Sequence, residues 1–182
     1  MLSLQAARSA GAWTFGARAG VSIPLGDTEV NPFELGRRGL RHQHVQFGSG
    51  TWDPVLGAGI ARDVAGGVAG ATARVRLSLV ENRHGLRGGH RYHLSTTYGR
   101  GIGGQWSGRA GIDYQREEAE KWEGRIEEEG NLGRTDMLGL LVLGRAIRRL
   151  GVLELSIRWP LHSRANGQQA HYPVVYSLGW SR

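Results

Sequence analysis

The chain contains no cysteine. That excludes a disulfide scaffold, thiolate metal sites and a cysteine nucleophile, and it leaves the compartment open. Nor does any stretch approach the roughly 18 consecutive apolar residues of a membrane-spanning helix; the longest nearly apolar run is 137–144. Helical periodicity is almost missing. Proline is sparse at 5 residues, whereas glycine reaches 30 of 182, about twice its usual share of roughly 7%. Without a G-X-Y period this is not collagen, and glycine excess of this kind suits tight turns and curved strands. Acidic residues are in deficit, 16 against 23 basic ones, for a net charge of +7. The length suits one domain, 1–182.

The N-terminus lacks a basic segment followed by an apolar one, so it does not read as a signal peptide. Leu2 and Leu4 alternate with Ser3 and Gln5, and Arg8 to Gly11 reads as a short turn. Residues 1–10 are therefore expected to be the end of an earlier strand, with Met1 an internal start and sequence missing upstream.

What is present is period-2 alternation, the signal of half-buried strands. Eight segments carry it: 13–25, 52–62, 68–80, 92–100, 105–116, 136–148, 152–161 and 171–182. The fifth sets Trp106, Gly108, Ala110, Ile112 and Tyr114 against Ser107, Arg109, Gly111, Asp113 and Gln115. The seventh sets Leu153, Leu155, Ile157, Trp159 and Leu161 against Glu154, Ser156 and Arg158. The sixth is less clean: Leu138, Leu140, Val142, Gly144 and Ala146 form its better apolar face, with Met137, Leu141 and Leu143 opposite.

Such alternation fits a soluble sandwich or a membrane barrel equally well. Two features favour the barrel. Connections alternate strictly between short (63–67, 101–104, 149–151) and long (26–51, 81–91, 117–135, 162–170), as periplasmic turns and extracellular loops do. The apolar-face aromatics also cluster at the strand ends. Trp13, Phe15, Tyr98, Trp106 and Trp180 fall at the short-turn end, and Trp52, Tyr92, Tyr114, Trp159 and Tyr172 at the long-loop end; Tyr176 alone is central. Two aromatic girdles are expected of a barrel in a bilayer, because indole and phenol rings settle at headgroup level. The fold expected is all-β: an antiparallel up-and-down transmembrane β-barrel with about eight strands present, as a fragment of a twelve-stranded one.

A strand ending at Pro24, Gly26 and Asp27, then a long loop, then Gly48, Gly50 and Asp53 opening the next strand, resembles the outer-membrane transporter and porin barrels of the phenol meta-pathway (MetA-like) family. The resemblance spans 11–182, the C-terminal part of such a barrel. It implies passive or facilitated transport of small hydrophobic or aromatic solutes across the bacterial outer membrane, with membrane lipid, lipopolysaccharide and the barrel-assembly machinery as partners. It carries no catalytic residues over. The chain departs from it by ending Trp180-Ser181-Arg182 rather than on an aromatic residue.

The face opposite the apolar one holds Arg18, Arg74, Arg76, Arg109 and Arg158 with Asp53, Asp113 and Glu154. As a lumen it would attract anions; as a filled interior its charges would pair. The loop from Glu117 to Gly130 is rich in glutamate, and the first long loop is basic, with Arg37, Arg38, Arg41, His42 and His44. Its arginines suit lipopolysaccharide phosphates. His42 and His44 lack a third metal ligand, so no metal and no cofactor is expected. The cations form no stripe interleaved with stacking aromatics, which argues against nucleic acid. No serine sits in a nucleophile elbow and no carboxylate pair stands out, so no enzyme is expected. Two other readings compete with transport. One is a pore-free structural or adhesive barrel; the other is a soluble lipocalin-like carrier, whose apolar residues would face inward.

Overall fold

The computed structural model describes residues 1–42, 48–148, 150–167 and 171–181. It is all-β apart from one short helix. In chain order the elements are β1 (Leu2–Ala10), β2 (Trp13–Ser22), α1 (Pro32–Arg37), β3 (Asp53–Val64), β4 (Gly67–Arg76), β5 (Leu86–Arg87), β6 (Arg91–Gly103), β7 (Trp106–Glu117), β8 (Lys121–Trp122), β9 (Arg134–Ile147), β10 (Gly151–Ala165) and β11 (Val175–Ser181). Nine long strands form one antiparallel sheet in the order β1-β2-β3-β4-β6-β7-β9-β10-β11, while β5 and β8 pair separately within the loops. The long strands thus form an unbroken meander, each paired with its neighbour in sequence. The expected end of an earlier strand is a full strand, β1, paired along its length with β2 from Leu2–Val21 to Ala10–Trp13. Among the described residues no hydrogen-bonded joint links β1 to β11. With nine strands the two edges run in the same direction, so a direct joint between them would be parallel.

The turns follow from local chemistry. Between β3 and β4 the two-residue loop Ala65-Gly66 has positive φ at both positions (49° and 73°). This is the type I′ geometry that matches strand twist. Tyr98 on β6 donates its hydroxyl to the Ala65 carbonyl at 3.2 Å, and Trp180 on β11 donates its indole N–H to the Leu150 carbonyl at 2.8 Å. Aromatics at this end therefore cap neighbouring turns.

The two faces differ sharply. Rows such as Phe15–Ile60–Ala71–Thr96–Ile112 and Leu141–Ile157–Tyr176 run across one face. That face is exposed: Leu155 is 53% accessible and Leu178 73%. The other face is concave. One cavity, of about 610 Å³, is lined by residues from β2 through β10, Thr14 and Glu154 among them, so the sheet curls around it. Buried side chains of the sheet lie on this concave side, and they include Asp53, Asp113 and Asp136.

Four sequence-based expectations change. In β9, Leu138, Leu140 and Val142 are buried on the concave side, and Met137, Leu141 and Leu143 face outward. Leu138 pairs directly with Asp113, so the register carried from β7 decides the face. In β10, a bulge at Leu161 shifts the register between Pro160 and His162. The parity is inverted beyond it: His162 pairs with the outward Met137, and Ser163 turns in to donate to Asp136 at 2.6 Å. β4 ends at Arg76, which leaves Leu77 and Leu79 beyond the strand. β11 starts at Val175, which leaves Tyr172 and Val174 in the preceding loop.

The long loops build a core of their own. Phe33, Leu86 and Trp122 form a buried cluster, with the Phe33 and Trp122 rings edge to face at 6.0 Å. Asn31 caps α1 by accepting from the Phe33 and Glu34 amides. Arg37 reaches across to Glu127 at 3.4 Å. Three loops are thereby tied together at the long-loop end of the sheet.

Candidate functional site

The eight charged residues singled out in the sequence all lie on the concave face. One cross-strand row runs Gln5–Arg18–Gly57–Arg74–His93–Gln115–Asp136. The row nearer the loops includes Val55, Arg76, Arg91, Glu117 and Arg134. Toward the short turns the side chains of this face are mostly small, with Gly16, Gly59, Gly70, Ser95, Thr97 and Gly144 lining the 610 Å³ cavity beside Arg109 and Glu154. A second cavity, of about 630 Å³, lies in the charged half and is lined by Arg74, Arg76, Arg91, His93, Glu117 and Arg158 among others.

Most of these charges are paired. Asp113, nearly fully buried, lies 3.5 Å from Arg158 and 3.9 Å from His93. Arg158 stands on β10 and Asp113 on β7, so their contact reaches over β9, as the curl of the sheet allows. Arg109 meets Glu154 at 3.8 Å over the same strand. Arg91 binds Glu117 at 2.8 Å and Arg134 binds Asp136 at 2.7 Å. Asp53, fully buried, faces Arg76 at 3.8 Å and accepts from the Thr51 hydroxyl at 2.8 Å. Arg18 and Arg74 differ. Neither has an ion pair among the described residues, and they flank Gly57, where a Cβ would lie 3.7 and 3.9 Å from their own Cβ atoms and 3.2 Å from the Ala73 carbonyl. A third cavity, of about 480 Å³, is lined by Arg18, Gly57, Gly59, Thr72, Arg74 and His93 among others.

Arg91, Glu117, Arg134 and Asp136 belong to the same constellation; in the sequence Glu117 belongs to the acidic loop, and the other three were not singled out. Arg91, Glu117 and Arg134 fall one or two residues outside the segments marked by alternation. Extending the fourth and fifth segments at unchanged parity finds Arg91 and Glu117; Arg134 and Asp136 share the parity of Leu138, so they join this face only because that side of β9 turns inward.

The aromatics expected at the two girdles mostly stand on the outward face. Trp13, Tyr98, Trp106 and Trp180 are at the short-turn end, and Tyr92, Tyr114 and Trp159 at the long-loop end. The Trp159 indole lies over Gly139, its direct cross-strand partner. Trp52 is exposed just ahead of β3. Tyr172 departs from the pattern. Its ring lies 5.8 Å from the Arg134 guanidinium, a concave-face residue, so it turns toward the charged mouth.

The motif residues that carried the family resemblance shape this mouth. The backbones of Gly26 and Gly48 touch so closely that a side chain on Gly48 would strike the Gly26 carbonyl. Gly50, at φ +68°, is wedged against Thr28 and Asn82. Several loop glutamates have structural partners as well: Glu120 accepts from the Trp122 indole and the Asn131 amide. Among the described residues no group of three metal-ligating side chains occurs; His44 lies outside them. Comparison with protein-family models, curated proteins and solved structures found no match.

Proposed function

We propose that the chain forms the wall of a bacterial outer-membrane β-barrel with the concave face as its lumen. The observation that carries this reading is the inverted distribution of polarity. The buried carboxylates lie inside, and the central outward rows hold only apolar, small or uncharged side chains such as Ala58, Ala73, Leu94, Ile112, Leu141 and Ile157. A water-soluble carrier of lipocalin type needs the reverse, an apolar interior. The regular alternation of short turns and long loops supports the same reading.

The proposed role is passive or facilitated passage of small hydrophobic or aromatic solutes, in keeping with the resemblance to the phenol meta-pathway transporters. Within the lumen the paired arginines hold the wall together. Arg18 and Arg74 are the cations free to draw in an anionic solute such as an aromatic carboxylate. Catalysis, metal and nucleic acid have no part in this reading. Membrane lipid, lipopolysaccharide at the basic loops and the barrel-assembly machinery are the proposed partners.

The test is planar-bilayer conductance of the full-length protein. Arg18→Gln with Arg74→Gln is expected to lower anion preference, and Arg109→Gln with Glu154→Gln to leave it unchanged. The absence of conductance under any ionic condition refutes the transport role. It would favour a pore-free adhesive barrel, a reading for which the loop core of Phe33, Leu86 and Trp122 speaks.

A further inference from the structure

The outward face is uncharged in its centre, and its strand cations stand only at the two ends. At the short-turn end these are Arg8, Arg62, Arg100 and Arg145. Each is exposed, and none has an ion pair among the described residues. No aspartate or glutamate of the described long strands shares this face; Asp63, the nearest in sequence, pairs with Val68 on the concave side.

Two of these arginines repeat one arrangement. Arg62 stands directly across from Trp13, with its guanidinium carbon 4.9 Å from the ring centroid. Arg145 stands directly across from Trp106, at 5.2 Å. Two further aromatics of this end, Tyr98 and Trp180, spend their polar hydrogens on turn carbonyls. Stacking on an indole face holds a guanidinium flat and restricts its rotamers while leaving its N–H edge free. An N–H edge of this kind fits the paired oxygens of a phosphate.

We propose that this end of the molecule is a binding surface for anionic phospholipid headgroups, with the Arg62–Trp13 and Arg145–Trp106 pairs as its two phosphate clamps. The inference rests on the membrane reading above and adds a lipid preference to it. Charge complementarity selects the ligand: four unpaired cations with no carboxylate among them, at the border of an uncharged apolar band. The indoles supply the amphipathic surface that settles at headgroup depth.

The experiment reconstitutes the full chain in phosphatidylcholine vesicles carrying brominated phosphatidylglycerol, and reads the affinity of that lipid from quenching of tryptophan fluorescence. The affinity is expected to fall in Arg62→Gln/Arg145→Gln, by about fivefold for each arginine lost. It is expected to hold in Arg116→Gln/Arg164→Gln, which removes outward cations from the opposite end. Equal affinity in the wild type and Arg62→Gln/Arg145→Gln overturns the clamps, and an equal fall in both double variants reduces them to general charge attraction. Flotation with pure phosphatidylcholine vesicles reads the membrane assignment separately. A chain that floats without selecting phosphatidylglycerol refutes this proposal alone, and a chain that fails to float refutes both.

Discussion

Leu141 gives the sharpest test of which side of the sheet meets lipid. It stands on the outward face of β9, exposed, four residues from Arg145 toward the short turns and four from Met137, the cross-strand partner of Tyr114, toward the loops. At about 3.4 Å per residue and a strand tilt near 40°, four residues span roughly 10 Å of depth. That puts both aromatic levels close to the edges of an apolar band about 25 Å tall, with Leu141 at its centre. Leu141→Arg then costs about 2–4 kcal/mol. Leu143→Arg, about 5 Å nearer the edge, should cost about half as much, because the penalty falls to roughly 0–1 kcal/mol at the interface. Thr72→Arg, in mid-strand on the concave face, escapes the lipid penalty. If the outward face met water instead, all three changes would stay within about 0.5 kcal/mol. Reversible urea unfolding in lipid vesicles measures the series. A flat profile, with Leu141→Arg no worse than Leu143→Arg, refutes the assignment of this face to lipid.

Three further outcomes follow from the concave face and the loops. Asp53→Asn removes the carboxylate 3.8 Å from Arg76, whose own side chain is 27% accessible; a loss of about 1–3 kcal/mol is expected. Adding Arg76→Gln should recover part of that loss in the same unfolding assay, and a double variant no better than the single one would show that the two residues are not coupled. Trp122→Ala empties the centre of the loop core, so proteolysis within 118–133 should speed up while β-sheet circular dichroism stays constant; unchanged cleavage would show that the cluster does not hold the loops. Glu34, bonded to Arg37 and Arg38, has its carboxyl pKa lowered. Its contacts are therefore complete above the ordinary carboxylate range and are lost as pH falls through the lowered value. An NMR titration of Glu34 should show its midpoint below that of a model carboxylate, and a midpoint at or above it removes the contacts from solution.

Alternation of side chains was enough to determine the all-β class, the strand order and nearly every facing residue. The reason is local: successive side chains of a strand point to opposite sides, so composition at every second position reports the environment. Connection lengths carried the meander, because antiparallel neighbours can be joined by two residues. β9 shows where this information ends. Both of its faces are apolar, so its sequence is silent on which one turns inward. Pairing of Leu138 with Asp113 settles that through the register of β7. The bulge at Leu161 is likewise a property of the β9–β10 ladder, and it alone places Ser163 on Asp136. Composition brought Arg18, Arg74, Arg76, Arg109 and Arg158 onto one face. Arg76 meets Asp53 between the neighbouring strands β4 and β3, but only the curl of the sheet, which lets Arg158 and Glu154 reach over β9, pairs Arg158 and Arg109, while Arg18 and Arg74 have no ion pair among the described residues.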